Sequence, residues 1–336
     1  MTSLTGVLLV GGASRRFGSP KALARFRGET LAERGHRLLA EACDEVLVVG
    51  KAELAATLPF PIVDDGVTER APVHGLLAGM RAASHDVVVA LPVDNPLVTP
   101  GALRALGEAA AVPSERIPLP GAYPRSLLPE LERRVAAGEP SLRGVNPVTL
   151  ELPERLLADA DTPAELALLE RPGHALAIGG TGMLAGLTRA LVARGHTVSS
   201  IARRATTLHV EGACNDQLQS LLVPVALDYR DSPTLDEALG RAVAERGPVD
   251  LAVCWIHTDA PHAPGLVARA LQPGARLVQV FGMRHWPLGE IPLHIAYRQV
   301  LLGTIGGRWL THKEISEGVL AAIDADLPCR VVGERR

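Results

Sequence analysis

The sequence predicts an α/β protein made of two tandem three-layer domains whose sheets are mostly parallel. Three observations support this fold class. Short β-branched apolar runs alternate with segments of helical spacing, which is typical of buried parallel strands joined by helices. Two of these runs lead directly into glycine-rich loops. The chain also has 336 residues, more than one ordinary hydrophobic core serves, which favours two domains.

Composition narrows the class of protein. Hydrophobic residues make up 47% of the chain and charged residues 21%, as in soluble globular proteins, while aromatic residues are scarce at 3%. The net charge of −3 gives no overall field that would attract nucleic acid. No apolar run approaches the roughly 18 consecutive residues of a membrane span, and the amino terminus lacks the pattern of a signal peptide. We therefore expect a cytoplasmic enzyme.

The cysteines indicate a reducing compartment. They lie far apart and show no CxxC spacing, so we expect reduced core thiols and neither zinc ligands nor disulfides. The four residues are Cys43, Cys214, Cys254 and Cys329.

The first half of the chain alternates strand-like and helix-like segments. Prolines before the last helix predict an irregular, exposed connection. The strands are predicted at Gly6–Val10, Glu45–Val49 and His85–Leu91, the helices at Thr30–Ala42, Leu76–Ala83, Gly101–Ala111 and Leu127–Ala137, and the prolines are Pro113, Pro118, Pro120 and Pro124.

The pattern restarts near residue 171, in "LERPGHALAIGGTG". We place the boundary at about Pro172, which gives domains 1–171 and 172–336. The residues flanking the two glycine loops do not match, so we expect two different nucleotide-binding domains, each Rossmann-like, and not a repeat. The strands of the second half are predicted at Ala175–Ile178, Thr197–Ala202, Val223–Leu227 and Val249–Trp255, and the helices at Leu184–Arg194 and Thr234–Glu245.

The first glycine loop, "GGASRRFGSPK", has the chemistry of a polyphosphate site. Gly11 and Gly12 let the backbone approach a ligand closely, with N–H groups aimed at phosphate oxygens. Arg16 and Lys21 supply cations able to neutralise a triphosphate, and Ser14 adds a hydroxyl donor. The spacing differs from GxxxxGK[ST] and excludes a Walker-type P-loop. A glycine turn with solvated arginines is the alternative.

A carboxylate follows the strand in "VVVALPVDNPLV". That strand delivers Asp94 to its carboxyl end, where ligands bind in open α/β sheets. A carboxylate facing a basic triphosphate loop suits Mg²⁺, which bridges protein and phosphate oxygens. A helix cap is the alternative role for this aspartate.

Several stretches of the first half, in collinear order, are similar to the motifs of one known family. "LLVGGASRRFGSPKAL" is similar to the specific signature LAGGxSxRxGxxKAL. "DDGVTERAPVHGLLAGM", "LPVDNPLV" and "LADADTPAEL" are similar to a segment ending in GPLAGL, to CDMPFL and to an NTPEDL ending. Over roughly residues 4 to 170 the chain resembles the MobA-like molybdenum cofactor guanylyltransferases, a family of nucleotidyltransferases.

This resemblance implies a reaction and its residues. The terminal phosphate of molybdopterin would attack the α-phosphorus of GTP and expel pyrophosphate, with position and charge neutralisation supplying most of the rate. Asp94 would hold Mg²⁺ with help from Asp159 or Asp161, of which we favour Asp161. The implied nucleotide-binding residues are Leu9, Gly11, Gly12, Ser14 and Asp65, and the implied catalytic residues are Lys21, Arg16 and Asp94.

The chain also departs from the family pattern. Val10 replaces the usual alanine, Asn95 replaces the usual methionine, and Thr68, Glu69 and Arg70 stand where glycines are usual. These changes fall mostly on the acceptor side, so a sugar- or polyol-phosphate acceptor stays open beside molybdopterin. The cytidylyl relatives of this family often carry two alanines, or alanine and glycine, at the positions of Gly11 and Gly12, so the resemblance implies guanine over cytosine.

The second glycine loop predicts a dinucleotide site. It follows a strand, opens a helix and fits GxGxxG/A with Ala185 in the last position. Arg203 and Arg204 end the next strand, where two cations suit a 2′-phosphate and therefore NADP(H), although a solvated strand end is the alternative. Asp228 follows the third strand, where the resemblance to short-chain dehydrogenases given below implies an aspartate near the adenine. The predicted cofactor-binding residues are Gly180, Thr181, Gly182, Met183, Leu184, Arg203, Arg204 and Asp228.

This half resembles an atypical short-chain dehydrogenase over about residues 174 to 325. That family uses a Tyr-x-x-x-Lys pair, but Tyr297 is followed four residues later by Leu301, and Arg298 is expected to face elsewhere on a helix. Hydride transfer therefore does not carry over, and a reductase and a non-catalytic NAD(P)-sensing module both stay open. His257, Thr258 and His262 form a candidate proton-transfer or metal cluster, with surface and capping histidines as the alternative.

Overall fold

The computed structural model describes residues 2–11, 16–54, 57–209, 218–282 and 291–334. The chain divides into two compact units, Met1–Glu170 and Arg171–Arg336. Both units are α/β with mostly parallel sheets, as the sequence predicts. None of the helices within the described ranges combines the length and the apolar character that crossing a bilayer requires.

The amino-terminal unit is built on a five-stranded sheet in the order β5-β4-β1-β6-β7, in which only the edge strand β7 is antiparallel. A short hairpin, β2 with β3, precedes the first helix. The strands are β1 (Leu4–Leu9), β2 (Arg25–Phe26), β3 (Glu29–Thr30), β4 (Glu45–Gly50), β5 (Ile62–Asp64), β6 (Val87–Pro92) and β7 (Gly121–Pro124).

Helices cover both faces of this sheet. Apolar side chains of α1 and α3 pack on one face, and those of α2 and α4 pack on the other. The helices are α1 (Leu31–Ala42), α2 (Pro72–Ala82), α3 (Pro100–Ala109), α4 (Leu128–Ala136) and α5 (Pro163–Glu170).

Two glycines let helices approach the central strand β1 closely. A Cβ atom on Gly35 of α1 would lie 2.5 Å from Leu8 Cδ1, and one on Gly79 of α2 would lie 2.6 Å from Val7 Cγ2. Both distances are shorter than van der Waals contact. A larger side chain at Gly79 would push α2 away from the branched Val7, whereas one at Gly35 would have to displace the end of the Leu8 side chain. Strand β1 is therefore held tightly from both faces.

The exposed connection predicted from the prolines is partly wrong. Residues Gly121–Pro124 form the edge strand β7, and the Tyr123 side chain is fully buried. Proline is tolerated at a sheet edge because its missing N–H removes no bond from an inner strand pair. The proline-rich pattern therefore concealed a strand.

The carboxy-terminal unit is built on a fully parallel seven-stranded sheet in the order β10-β9-β8-β11-β12-β13-β16. A two-stranded ribbon, β14 with β15, lies outside it. The strands are β8 (His174–Ile178), β9 (Thr197–Ala202), β10 (Leu222–Ala226), β11 (Val249–Cys254), β12 (Leu271–Phe281), β13 (Ala296–Leu302), β14 (Thr304–Ile305), β15 (Arg308–Trp309) and β16 (Cys329–Val332).

Helices again cover both faces. The first and last of the described helices pack on one face, and the middle two pack on the other. These are α6 (Ala185–Ala193), α7 (Ser232–Arg246), α8 (Ala263–Ala270) and α9 (His312–Ala325).

Two expectations for this unit need correction. Tyr297 and Arg298 lie on strand β13 and not on a helix, because buried positions alternate there with a period of two. Cys254 is a buried free thiol, but Cys43 is half-buried and Cys329 is exposed on the edge strand β16, so not all the cysteines are core thiols. Cys214 lies outside the described residues.

Candidate functional site

A cleft of about 780 Å³ opens at the carboxyl ends of β1, β4 and β6. Strands β4 and β5 lie on one side of β1 and β6 lies on the other, so the strand order reverses beside the cleft, where ligands bind in open α/β sheets. Its lining includes Leu9 at the end of β1, Gly11 shortly after that strand, and Asp94 after β6. Gly12 and Ser14, also predicted to bind nucleotide, lie outside the described residues.

Lys21 is the centre of the charged part of the cleft. Its Nζ donates to Asp94 Oδ2 at 3.0 Å and to Asp161 Oδ1 at 2.9 Å. Arg16 Nη1 donates to the other oxygen of Asp161 at 3.2 Å. The Lys21 side chain is only 12% exposed, whereas that of Arg16 is 76% exposed. Four residues predicted from distant parts of the sequence therefore meet at one point.

Backbone and amide hydrogen bonds join the two segments that carry the carboxylates. Asn95 Nδ2 donates to the carbonyl oxygen of Leu157 at 3.1 Å. The Ala160 N–H donates to the Asp94 carbonyl oxygen at 3.0 Å. Asn95 is 6% exposed, so its amide has little water to compete for these bonds. The separation of Asp94 and Asp161 is thereby fixed by their own segments as well as by Lys21.

Lys21 and Asp161 are both charged at neutral pH. Partial burial alone would lower the pKa of Lys21, but its hydrogen bonds and charge interactions with Asp161 and Asp94 outweigh burial and raise that pKa. The hydrogen bond from Lys21 and its positive charge lower the pKa of Asp161.

The two carboxylates fit a magnesium ion that also binds phosphate. Asp94 and Asp161 converge on one cation at hydrogen-bond distance, and Mg²⁺ is commonly held by one or two carboxylates together with substrate phosphates. Within the described ranges, no group of three or more His, Cys, Asp or Glu side chains could hold a metal alone. Asp159 is exposed and lies outside the cleft lining.

Asp65 lies at the other end of the cleft, beside Gly11. Its side chain is 7% exposed and pairs through Oδ1 with the ammonium of Lys51 at 2.6 Å. Its other oxygen, Oδ2, lies 3.9 Å from the position that a Cβ on Gly11 would take. Lys51 was not among the predicted site residues. The sequence contains one signal for Lys51, which is the rarity of lysine: the chain has only three.

A second cleft, of about 290 Å³, opens in the carboxy-terminal unit at the ends of β8, β9, β10 and β11. No heavy atom lies within 4 Å of a Cβ built on Gly182, so a ligand can approach the backbone there. Gly180 is instead packed against Thr188 and Ser200, and the Leu184 side chain is fully buried in the core. The predicted cofactor residues in its lining are Thr181, Gly182, Met183, Arg203, Arg204 and Asp228.

Asp228 pairs with a neighbouring arginine. Arg230 Nε donates to Asp228 at 2.9 Å, and Arg230 Nη1 lies 3.3 Å from Asp259. The hydrogen bonds from Arg230 lower the pKa of Asp228 to about 2, with a smaller contribution from the charge of Arg203. Both acids pair with Arg230, and Arg203 and Arg204 line the same cleft, where their charges can face an anionic ligand.

The predicted catalytic candidates of this unit are not brought together in the lining of the second cleft. His257, Thr258 and His262 are all exposed, and of the three only His257 lines the cleft. Tyr297 Oη donates to Gln279 Oε1 at 3.2 Å, and burial raises the pKa of this phenol to about 12. Tyr297 therefore has a partner within the sheet and does not line the cleft.

Comparisons with known proteins match the amino-terminal unit. The model of the MobA-like NTP transferase domain family matches residues 6–154. A probable molybdenum cofactor guanylyltransferase of Chloroflexus aggregans is 33% identical over 155 residues, 42% of this chain and 74% of that protein. The molybdenum cofactor guanylyltransferase of Pseudomonas putida is 32% identical over 150 residues, 41% of this chain and 78% of that protein.

A solved structure of a different kind is also similar to part of the chain. It is a short-chain dehydrogenase from Streptomyces avermitilis, 16% identical, with a TM-score of 0.39, covering 49% of this chain and 89% of that one.

Proposed function

The chain belongs to the MobA-like molybdenum cofactor guanylyltransferases, and we propose that its amino-terminal unit transfers GMP from GTP to the phosphate of molybdopterin. The chain is thus a nucleotidyltransferase by family. A phosphate oxygen of the acceptor attacks the α-phosphorus, the bond to the β-phosphate breaks and pyrophosphate leaves. The observation that carries the proposal is the meeting of Arg16, Lys21, Asp94 and Asp161 in one cleft.

In this transfer the basic residues would contact the phosphates, and the acidic residues would hold the metal ion. Lys21 and Arg16 neutralise phosphate oxygens, because both are long cations at the cleft and both already face anionic oxygens. Asp94 and Asp161 would hold Mg²⁺, which when bound supplies further neutralisation of the triphosphate. Leu9, Gly11 and Asp65 line the end of the cleft that would take the base. Positioning and charge stabilisation provide most of the rate in such reactions.

Pyrophosphate release tests this proposal. The protein is incubated with Mg²⁺, molybdopterin and each of GTP, CTP, ATP and UTP, and we expect release with GTP. Asp94→Asn should lower turnover by about 10²–10³-fold, the range for losing one group that stabilises transition-state charge. Asp86→Asn is the matched control, because Asp86 is exposed at the opposite end of the same strand. No release with any nucleotide, or wild-type turnover in Asp94→Asn, would overturn the assignment.

The carboxy-terminal unit supports a second function, binding of NADP(H). The accessible backbone at Gly182 and the two arginines Arg203 and Arg204 favour a dinucleotide with an additional phosphate. The free thiols of the described cysteines are consistent with a reducing compartment, so we place the protein in the cytoplasm.

Tryptophan fluorescence tests the second function. The three tryptophans, at positions 255, 286 and 309, all belong to the carboxy-terminal unit, and Trp255 lines its cleft. We expect NADPH to quench this fluorescence at lower concentration than NADH, and the preference to disappear when Arg203 and Arg204 are both changed to Ser. Equal response to both dinucleotides would contradict the 2′-phosphate assignment. Binding without turnover would favour a sensing module over a reductase.

A further inference from the structure

Lys51 is enclosed by the loop that follows β5. It comes directly after β4, and its side chain is 11% exposed. Its Nζ donates to Asp65 Oδ1 at 2.6 Å and to the carbonyl oxygens of Val67 and Glu69. An ammonium has three protons, so all three are committed to this one loop. Lys51 therefore acts on the loop and has no donor left for a ligand.

That loop forms one wall of the nucleotide cleft. Asp65, Thr68 and Arg70 all line the cleft. Lys51 binds Oδ1 of Asp65, while Oδ2 lies 3.9 Å from the position that a Cβ on Gly11 would take. The Val67 N–H also donates to Oδ1, at 3.3 Å, so the same oxygen is held twice. The carboxylate is thereby fixed on the cleft wall, with its second oxygen close to Gly11.

The choice of lysine over arginine at this position has a chemical reason. The chain contains three lysines, Lys21, Lys51 and Lys313, among 34 lysine and arginine residues. Lys21 lines the cleft, and Lys51 pairs with Asp65, which lines it. An ammonium directs three donors from one atom, whereas a guanidinium is planar and carries its donors on a rigid fork. Only the ammonium suits three acceptors that converge on a single point.

We propose that Lys51 is a positioning residue for selection of the nucleotide base. It holds the loop so that Asp65 Oδ2 accepts hydrogen bonds from the N–H groups on the edge of a guanine, the base expected from the proposed function on which this inference rests. Lys21, Asp94 and Asp161, which face the phosphates, lie on other elements. Lys51 should therefore govern the KM for nucleotide and the choice of base, and leave kcat nearly unchanged.

The test compares GTP with ITP, which lacks the exocyclic amine of guanine. We expect the wild-type protein to prefer GTP. Lys51→Met keeps the length of the side chain but leaves the buried Asp65 carboxylate and two carbonyl oxygens without their donor. Its KM for GTP should rise about 10-fold or more, as for loss of a hydrogen bond to a charged group, with kcat within about two-fold and the GTP/ITP ratio of kcat/KM falling toward one.

Four further variants make the outcome specific. Lys51→Arg should behave like Lys51→Met, and Asp65→Asn should lose the same preference. The double variant Lys51→Met/Asp65→Asn should be no worse than the single variants, because coupled residues are non-additive. Lys313→Met is the matched control, since Lys313 is 82% exposed and belongs to the other unit. Circular dichroism checks folding, and Lys51→Arg and Asp65→Asn carry the test if Lys51→Met does not fold.

The failure of this inference is distinguishable from failure of the proposed function. A wild-type protein that turns over no nucleotide overturns both. A wild-type protein that turns over GTP, with Lys51→Met and Lys51→Arg keeping its KM and its GTP/ITP ratio, overturns the role of Lys51 alone. Additive effects of Lys51→Met and Asp65→Asn would show that Lys51 does not act through Asp65.

Discussion

Lys21 and Lys51 both contact carboxylates that line the cleft, yet their ammonium groups have different surroundings. Lys21 contacts two carboxylates on separate segments, and in the proposed function it also neutralises phosphate oxygens. Lys51 is committed to one loop, two of whose three acceptors are carbonyl groups. The first lysine is thus placed to bind substrate, and the second to shape the wall that receives it.

At the residue scale, the first prediction concerns Asn95, which joins the segments of Asp94 and Asp161. Asn95→Leu removes the amide while keeping a similar volume, so the two carboxylates should separate more easily. We expect the Mg²⁺ concentration needed for half-maximal turnover to rise by about 10-fold, the lower end for residues that orient metal ligands. Turnover measured against Mg²⁺ concentration gives this value.

Asn146→Leu is the matched control for this prediction. Asn146 is also buried and also holds two carbonyl oxygens through Nδ2, those of Ala110 and Ala122, each at 2.8 Å. It does not line the cleft. Its substitution should reduce stability without changing the Mg²⁺ requirement. Equal shifts in both variants would show that Asn95 acts on stability only.

The second prediction concerns Tyr297. Tyr297→Phe should leave NADPH binding unchanged, because this side chain lies within the sheet and outside the second cleft. Loss of the hydrogen bond to Gln279 should lower the free energy of unfolding by about 1 kcal/mol. Fluorescence titration and urea unfolding measure the two effects. A large loss of NADPH binding in Tyr297→Phe would contradict this prediction and indicate that Tyr297 contributes to the cofactor site.

The charged centre of the cleft could be predicted from the sequence, but the Lys51 contact could not. Asp94 follows an apolar strand and Lys21 follows the loop of a neighbouring strand, and such ends meet at one edge of a parallel sheet. Lys51 follows β4 in "GKAEL", which carries no motif. Its importance depends on the path of the loop after β5, and loop paths are set by contacts distant in sequence.

At the element scale, the cap of α9 gives a prediction about pH. Thr311 Oγ1 accepts from the Glu314 N–H at 3.2 Å, and a Glu314 oxygen accepts from the Thr311 N–H at 2.8 Å. Hydrogen bonds from Arg308 and then from Thr311 lower the pKa of Glu314 from 4.5 to about 2. The stabilisation from its ionised form is therefore complete above pH 4.5 and is lost as the pH falls through about 2.

Two variants separate the cap from the charge. Thr311→Ala should lower the free energy of unfolding at neutral pH by about 1 kcal/mol, as for other capping residues. Glu314→Gln keeps the capping hydrogen bonds but cannot titrate. Its unfolding free energy should therefore fall less than that of the wild type between neutral pH and about pH 3. Urea unfolding followed by tryptophan fluorescence measures this difference. Parallel curves for the two proteins would contradict the assignment.

Strands formed by continuous apolar runs were easier to predict than strands whose sequences contain prolines or polar residues, and the reason is physical. Continuous apolar runs such as β6 and β8 must be buried on both faces, so their pattern alone identifies them. Strand β7 lies at a sheet edge among prolines, and β13 carries polar residues on a half-buried face, so neither produces such a run. Their pairing partners, and not their own residues, decide their structure.

At the scale of the whole molecule, each unit has its own hydrophobic core. The described part of each contains buried apolar clusters on both faces of its sheet. We therefore predict that residues 1–170 and 171–336 fold as separate fragments. Circular dichroism with cooperative thermal unfolding tests both fragments.

Each fragment should also keep its function. Fragment 1–170 should release pyrophosphate at a rate within a few-fold of the full chain, and fragment 171–336 should keep the NADPH response of its tryptophans. Fragment 1–170 has no tryptophan, so its fluorescence should lack that response altogether. A fragment that stays unfolded would show that its core is insufficient alone.

The tight seating of β1 between Gly35 and Gly79 has a consequence for experiments that survey many variants at once. Leu8 and Val7, which these glycines contact, lead along β1 directly to Leu9 and Gly11 at the cleft. A library selected for activity should therefore retain mainly glycine at position 79, and should lose larger residues less strongly at position 35, where the end of the Leu8 side chain can shift. Position 79 would be depleted of other residues although Gly79 does not line the cleft. Intolerance to substitution at these sites would reflect the close packing of α1 and α2 on β1, and not a role in catalysis.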